Sequence, residues 1–145
     1  MSLDFRPDRD VYVIFHDDTQ YRFSKYMTVG FKHAFIIERS ALGWICFDAS
    51  RTNIAVDILP ADYFSEVMQH FHGKHKGATI LHLTIQPTNS SNYPRPGIIS
   101  CVSSVQYYLG IYWPWIFTPH SLYTKLKNKP PTHIKVDDYV GKISS

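Results

Sequence analysis

Cys101 and His33 are the two side chains whose types and positions point most directly to chemistry. Cys101 lies where a helix should begin. Ser100 is suited to cap it, Val102, Val105 and Leu109 follow the i, i+3, i+7 spacing of one apolar face, and Gly110 stands where a left-handed terminating residue is wanted. A thiol in the first turn of a helix meets the positive end of the helix dipole and unpaired amide donors, and both favour thiolate over thiol. That environment suits a nucleophile, provided a histidine can reach it. The competing reading is a small buried hydrophobe, which is what most free cysteines are.

His33 belongs to the run Gly30-Phe31-Lys32-His33-Ala34-Phe35-Ile36-Ile37, whose alternation is expected to place Phe31, His33, Phe35 and Ile37 on one face of a strand. Such a histidine is either a hydrogen-bonded structural residue or a base that takes the thiol proton. In Trp44-Ile45-Cys46-Phe47-Asp48 the same alternation sets Trp44, Cys46 and Asp48 on one face and Ile45 and Phe47 on the other. If the two strands pair antiparallel, Asp48 can orient the imidazole through its second nitrogen. Asp48 is otherwise an ordinary strand-end aspartate in a turn. Asn53, Asp57 and His82 are weaker candidates for the same role.

The elements that must hold these groups are legible from pattern. Residues 11–15 are β-branched and aromatic and form a strand ended by His16-Asp17-Asp18. Strands are predicted over 31–38, 43–48 and 53–59, with connections short enough for antiparallel hairpins. Asp62 can cap a helix over 62–72 with Phe64, Val67, Met68 and Phe71 on one face and Gly73 at its end. Strand character returns at 78–85. Residues 86–97 are rich in Pro, Asn and Gly and read as a loop that could cover the site. After the Cys101 helix, Thr118 and Pro119 open another, with Leu122, Tyr123 and Leu126 facing inward. An edge strand is expected at 133–136. The fold class is α+β, an antiparallel sheet with helices packed on it.

A chain of 145 residues, 44% hydrophobic and 19% charged, is expected to form one globular domain over 1–145. The net charge of +3 is mild, and lysines gathered at 125–135 suit a solvated end better than a nucleic-acid stripe. No apolar run approaches a membrane span, and the N-terminus lacks the basic region and apolar core of a signal peptide. A reduced compartment follows as the expectation, cytoplasmic or virion-associated, with Cys46 and Cys101 unpaired. His70, His72 and His75 crowd the end of the 62–72 segment. Residues two apart do not face each other on a helix and no carboxylate or cysteine completes a ligand set, so neither metal nor cofactor is expected. The segment 112–117, dense in aromatics and bent by Pro114, should pack the helices onto the sheet or wall a substrate groove.

A histidine strand, a neighbouring strand with a polar residue, and then a cysteine at a helix start resemble the circularly permuted branch of the NlpC-type, papain-like cysteine peptidases. Gly30-Phe31-Lys32-His33-Ala34-Phe35 resembles the histidine segment and Ser100-Cys101-Val102-Ser103-Ser104-Val105 the cysteine segment. The runs 101–111 and 118–123 resemble small phage-encoded members, and the likeness spans roughly residues 10–127. It implies a papain-like core with Cys101 as nucleophile, His33 as base and Asp48 as third member, where the family uses His, Asn or Asp. The Cys101 backbone N–H would be the oxyanion donor. The implied substrate is an amide in a peptide or in peptidoglycan. The same branch includes lecithin:retinol acyltransferase-like proteins, which would need a lipid-docking surface; the sequence shows no amphipathic or transmembrane anchor, so no membrane partner is expected. A non-catalytic virion or tail module that keeps the fold would leave Cys101 and His33 apart, and an RNA-binding domain lacks clustered arginines.

Overall fold

The computed structural model describes residues 8–17, 28–29, 31–41, 43–49, 54–63, 65–66, 69, 78–87 and 100–138. Among the described residues, six antiparallel strands form one sheet: β1 (Arg9–His16), β2 (His33–Ser40), β3 (Gly43–Ala49), β4 (Ile54–Leu59), β5 (Thr79–Ile85) and β6 (Ile134–Asp138). Their order across the sheet is β4-β3-β2-β1-β5-β6. Helices α1 (Cys101–Leu109) and α2 (Pro119–Asn128) follow β5 in the chain. The class is α+β, as the sequence pattern requires. Among the described residues no helix is long and apolar enough to cross a membrane.

Strands β1 and β2 lie at the centre and are buried along most of their length, which is why they read as nearly continuous β-branched and aromatic runs. Side chains alternate across the sheet. Val11, Val13, Phe15, Ala34, Ile36, Leu81, Leu83 and Ile85 form one apolar layer with Val102, Val105 and Leu109 of α1 and Leu122 and Leu126 of α2. Ile14, Phe35, Ile37, Trp44 and Ile80 form a second cluster, with Cys46 packed against it. Each fully buried leucine of the helices contributes about 1.5–3 kcal/mol by leaving water. The helix-bearing layer therefore fixes α1 against the sheet.

Local chemistry sets the ends of the elements. The β2–β3 hairpin pairs Ser40 with Gly43, and the Ser40 hydroxyl donates to the Gly43 carbonyl over 2.7 Å. Gly43 has φ of 143° and a Cβ there would collide with the Leu59 carbonyl oxygen, so only glycine fits. This tight turn lets β2 run to Ser40, two residues beyond the predicted 31–38 strand, and β2 begins at His33. Phe31 thus precedes the strand. It packs with Phe15 and Tyr123 on the helix side, not beside Phe35 and Ile37 as alternation from residue 31 would require.

Of the helix expected over 62–72, Ala61–Tyr63 form a 3-10 turn that already includes Asp62, and Ser65, Glu66 and Gln69 are helical. Its apolar face and His70, His72 and His75 lie outside the described residues, as do residues 88–97 of the expected loop. The edge strand is present, one residue later than predicted, and pairs with β5. In the 112–117 segment the two expected roles divide by residue. Trp113 and Ile116 pack on the core, whereas Tyr112, Trp115 and Phe117 are exposed. Buried Gln106 anchors the segment, accepting from the Trp113 amide over 2.9 Å and donating to the Ile116 carbonyl over 3.2 Å.

Candidate active site

Helix α1 begins at the thiol. Ser100 takes an extended conformation ahead of it, its hydroxyl accepts from the Ser103 amide over 3.1 Å, and the Ser103 hydroxyl accepts from the Ser100 amide over 2.8 Å. This reciprocal capping box ends the preceding chain at one defined residue and makes Cys101 the first helical position. At the far end Gly110 is left-handed, with φ of 70°, and its N–H donates to the Tyr107 carbonyl over 3.1 Å. Both ends match the sequence expectation.

His33 opens β2 and is 1% exposed. Its Nε2–H donates to Asp48 Oδ1 over 2.6 Å, from the strand next door. The β2–β3 register that brings them together pairs Ile36 with Phe47 and Ile37 with Cys46. The Cys101 thiol lies close enough to the same imidazole to act on its charge. A half-exposed carboxylate, a buried imidazole and a half-buried thiol therefore meet at one end of the sheet. Burial works against a charge on His33, but the Asp48 hydrogen bond, followed by the neighbouring Cys101 thiol and the Asp48 charge, outweighs it and pushes the imidazole up to about 9.

The other candidates for the orienting residue lie elsewhere. His82 on β5 is bound to Asp10 at 3.1 Å and stacks on Tyr12 with ring centroids 4.7 Å apart. Asp57 on β4 pairs directly with Cys46 of β3. With burial as the leading cause, and the charges of Asp48 and Asp57 behind it, the Cys46 thiol is pushed up to about 11. The two cysteines are thus in opposed settings, one beside an imidazole and one beside carboxylates. Asn53 lies outside the described residues.

One residue at the site carries no signature in the sequence taken segment by segment. His16 closes β1 directly opposite His33 and is 7% exposed. Its ring meets His33 edge-on at 5.3 Å and Phe35 at 5.4 Å, and its Nδ1 lies 3.2 Å from the Asp17 carbonyl. The signal was two histidines at facing ends of adjacent strands. It becomes visible only once the β1–β2 register is known.

No family model, curated protein or solved structure matches the chain.

Proposed function

We propose that the chain is a cysteine hydrolase with a papain-like core in permuted order, acting on an amide of a peptide or of peptidoglycan. The observation that carries this reading is the meeting of Cys101, His33 and Asp48 from three separate elements. A non-catalytic module has no need to hold a thiol on a buried imidazole that is itself held by a carboxylate. The order of the histidine strand, the carboxylate strand and the cysteine helix supports the permuted arrangement.

The steps follow from the residues. Asp48 engages Nε2, so Nδ1 is the nitrogen that exchanges a proton with the thiol. The Cys101 thiolate attacks the carbonyl carbon, and the new C–S bond pushes the carbonyl electrons onto oxygen. The first amides of α1 have no partner within the helix, and the Cys101 N–H can receive that oxyanion. Collapse breaks the C–N bond as His33 delivers its proton to the leaving amine. His33 then takes a proton from water, hydroxide adds to the thioester, and the carboxylic acid departs with the thiol restored. A phage or virion setting, implied by the resemblance, belongs to this proposal.

The test is capture of the thioester. Purified protein is mixed with peptides and muropeptides, quenched in acid and weighed intact. The reading expects an adduct on Cys101 that hydroxylamine removes and that is absent in Cys101→Ser and His33→Ala. Turnover without an adduct, or turnover surviving Cys101→Ser, contradicts it.

A second acceptor chemistry draws support from a separate observation. Trp115 and Phe117 are 79% and 75% exposed, and no Asp or Glu occurs between Glu66 and Asp137 while Lys125, Lys127 and Lys129 lie on or just after α2. Exposed aromatics with lysines and no carboxylates suit an anionic lipid interface, the surface a thiol acyltransferase requires. Co-sedimentation with phosphatidylcholine vesicles, with and without phosphatidylglycerol, separates the readings. Binding lost in Trp115→Ala/Phe117→Ala favours the acyltransferase, and its absence in the parent chain leaves the hydrolase.

A further inference from the structure

A second set of polar groups, centred on one buried carboxylate, lies two helical turns from the thiol, outside the proposed chemistry. Glu38 is 8% exposed near the end of β2, the strand that His33 opens. One carboxylate oxygen accepts from Arg9 Nε on β1, and the other accepts from the Tyr108 hydroxyl on α1. The Tyr108 ring is held as well. Arg9 lies over it at 5.2 Å and Phe47 of β3 packs at 5.1 Å. One tyrosine of α1 is thus gripped by three adjacent strands.

Its position on the helix matters. Tyr108 is seven residues from Cys101, so the two side chains leave α1 within about 20° of each other and face the sheet along one stripe. The pair is separated by about 10 Å along the helix, and His33 and Glu38 by about 17 Å along the strand. Rotation or sliding of α1 that moved the thiol from His33 would also break the bond between Tyr108 and Glu38. Apolar packing resists such motion weakly, because Val and Leu contacts are not directional. A charge-assisted hydrogen bond in a buried site is directional and expensive to leave unmade.

We propose that Tyr108 and Glu38 are positioning residues that set the rotation and height of α1, and through it the contact of the Cys101 thiol with His33. The inference rests on the cysteine-hydrolase reading. Tyr108→Phe removes only the hydroxyl and leaves the ring between Arg9 and Phe47, while Glu38→Gln leaves one acceptor oxygen where Arg9 Nε–H and the Tyr108 hydroxyl each had their own.

The test measures iodoacetamide labelling of Cys101 against pH by mass spectrometry, alongside a thermal melt of each variant. The expectation is that Tyr108→Phe melts as a folded protein but labels Cys101 about tenfold or more slowly near pH 6 than the parent, with the profile moved toward that of an ordinary thiol. Glu38→Gln should also slow labelling, since the neutral amide offers one acceptor oxygen to two donors and the charge is lost. A lowered melting temperature with an unchanged pH profile in Tyr108→Phe would make the bond merely structural and overturn the inference. So would labelling in Glu38→Gln as fast as in the parent. If the parent chain itself shows no enhanced labelling near pH 6, the hydrolase reading fails first and takes this inference with it. The parent profile therefore distinguishes the two failures.

Discussion

The 2.6 Å bond from His33 Nε2–H to Asp48 Oδ1 joins a side chain that is 2% exposed to one that is 43% exposed. The asymmetry has a chemical use. A wholly buried carboxylate would carry a large desolvation penalty of its own, whereas this one keeps part of its hydration and still supports a buried imidazole. Orientation comes from the bond, and the charge that builds on His33 during proton transfer has a counter-charge in place.

Removing that counter-charge should weaken the base in steps. Asp48→Asn keeps an oxygen that accepts from Nε2–H but loses the charge, and Asp48→Ala loses both. Both substitutions should lower the imidazole from about 9, Asp48→Ala by more. Following the ring protons of His33 by NMR against pH gives the two midpoints. Equal midpoints in the parent and in Asp48→Ala would show that the bond does not support the charge.

The His33 proton, taken apart from that of Cys101, should make stability fall as pH rises through the same range. The folded chain holds the His33 proton up to about 9, while the unfolded histidine releases it near 6.5. Between these values the folded state binds more protons, so the stabilisation is complete below 6.5 and is lost as pH climbs to about 9. In Cys101→Ser, which takes the thiol proton out of the balance, urea midpoints at intervals across this window should decline, and they should decline less when His33→Gln is added. The window ends where Cys46, pushed up to about 11, begins to contribute with the same sign.

The start of α1 can be weakened without touching the thiol. Ser100→Ala deletes the acceptor for the Ser103 amide and should destabilise the fold by about 1 kcal/mol. It should also slow Cys101 labelling, since the cap fixes which residue begins the helix. Gly110→Ala, at φ of 70°, should cost a comparable 1 kcal/mol or so with no effect on labelling. Chemical denaturation and labelling measured on the same samples check both.

How much of this was legible beforehand depends on the range of the determining force. The caps of α1 and α2, the glycine stop and the alternation of β3 are set by residues within a few positions, and Ser100, Thr118, Gly110 and Cys46 behave as their neighbours require. The choice of Asp48 over Asp57 and His82 rested on register, which the sequence allowed and the short hairpin at Ser40–Gly43 decides. His16 was not foreseen as a neighbour of His33, because residues 17–32 separate them and no local rule sets the pairing of β1 with β2. The face of Phe31 was misassigned for the opposite reason. Alternation was carried two residues past the point where the strand begins.

The central claim is that Cys101 and His33 act as a pair, and alkylation against pH tests it most directly because Cys46 supplies an internal control in the same chain. Iodoacetamide labelling of each thiol is followed by mass spectrometry in the parent, His33→Ala and Cys46→Ala. The account predicts rapid labelling of Cys101 near pH 6, where an ordinary thiol of pKa about 8.5 is protonated. It also predicts that His33→Ala loses this labelling while Cys46 stays slow throughout. Labelling of Cys101 that follows the ordinary thiol profile and is indifferent to His33→Ala would contradict the account.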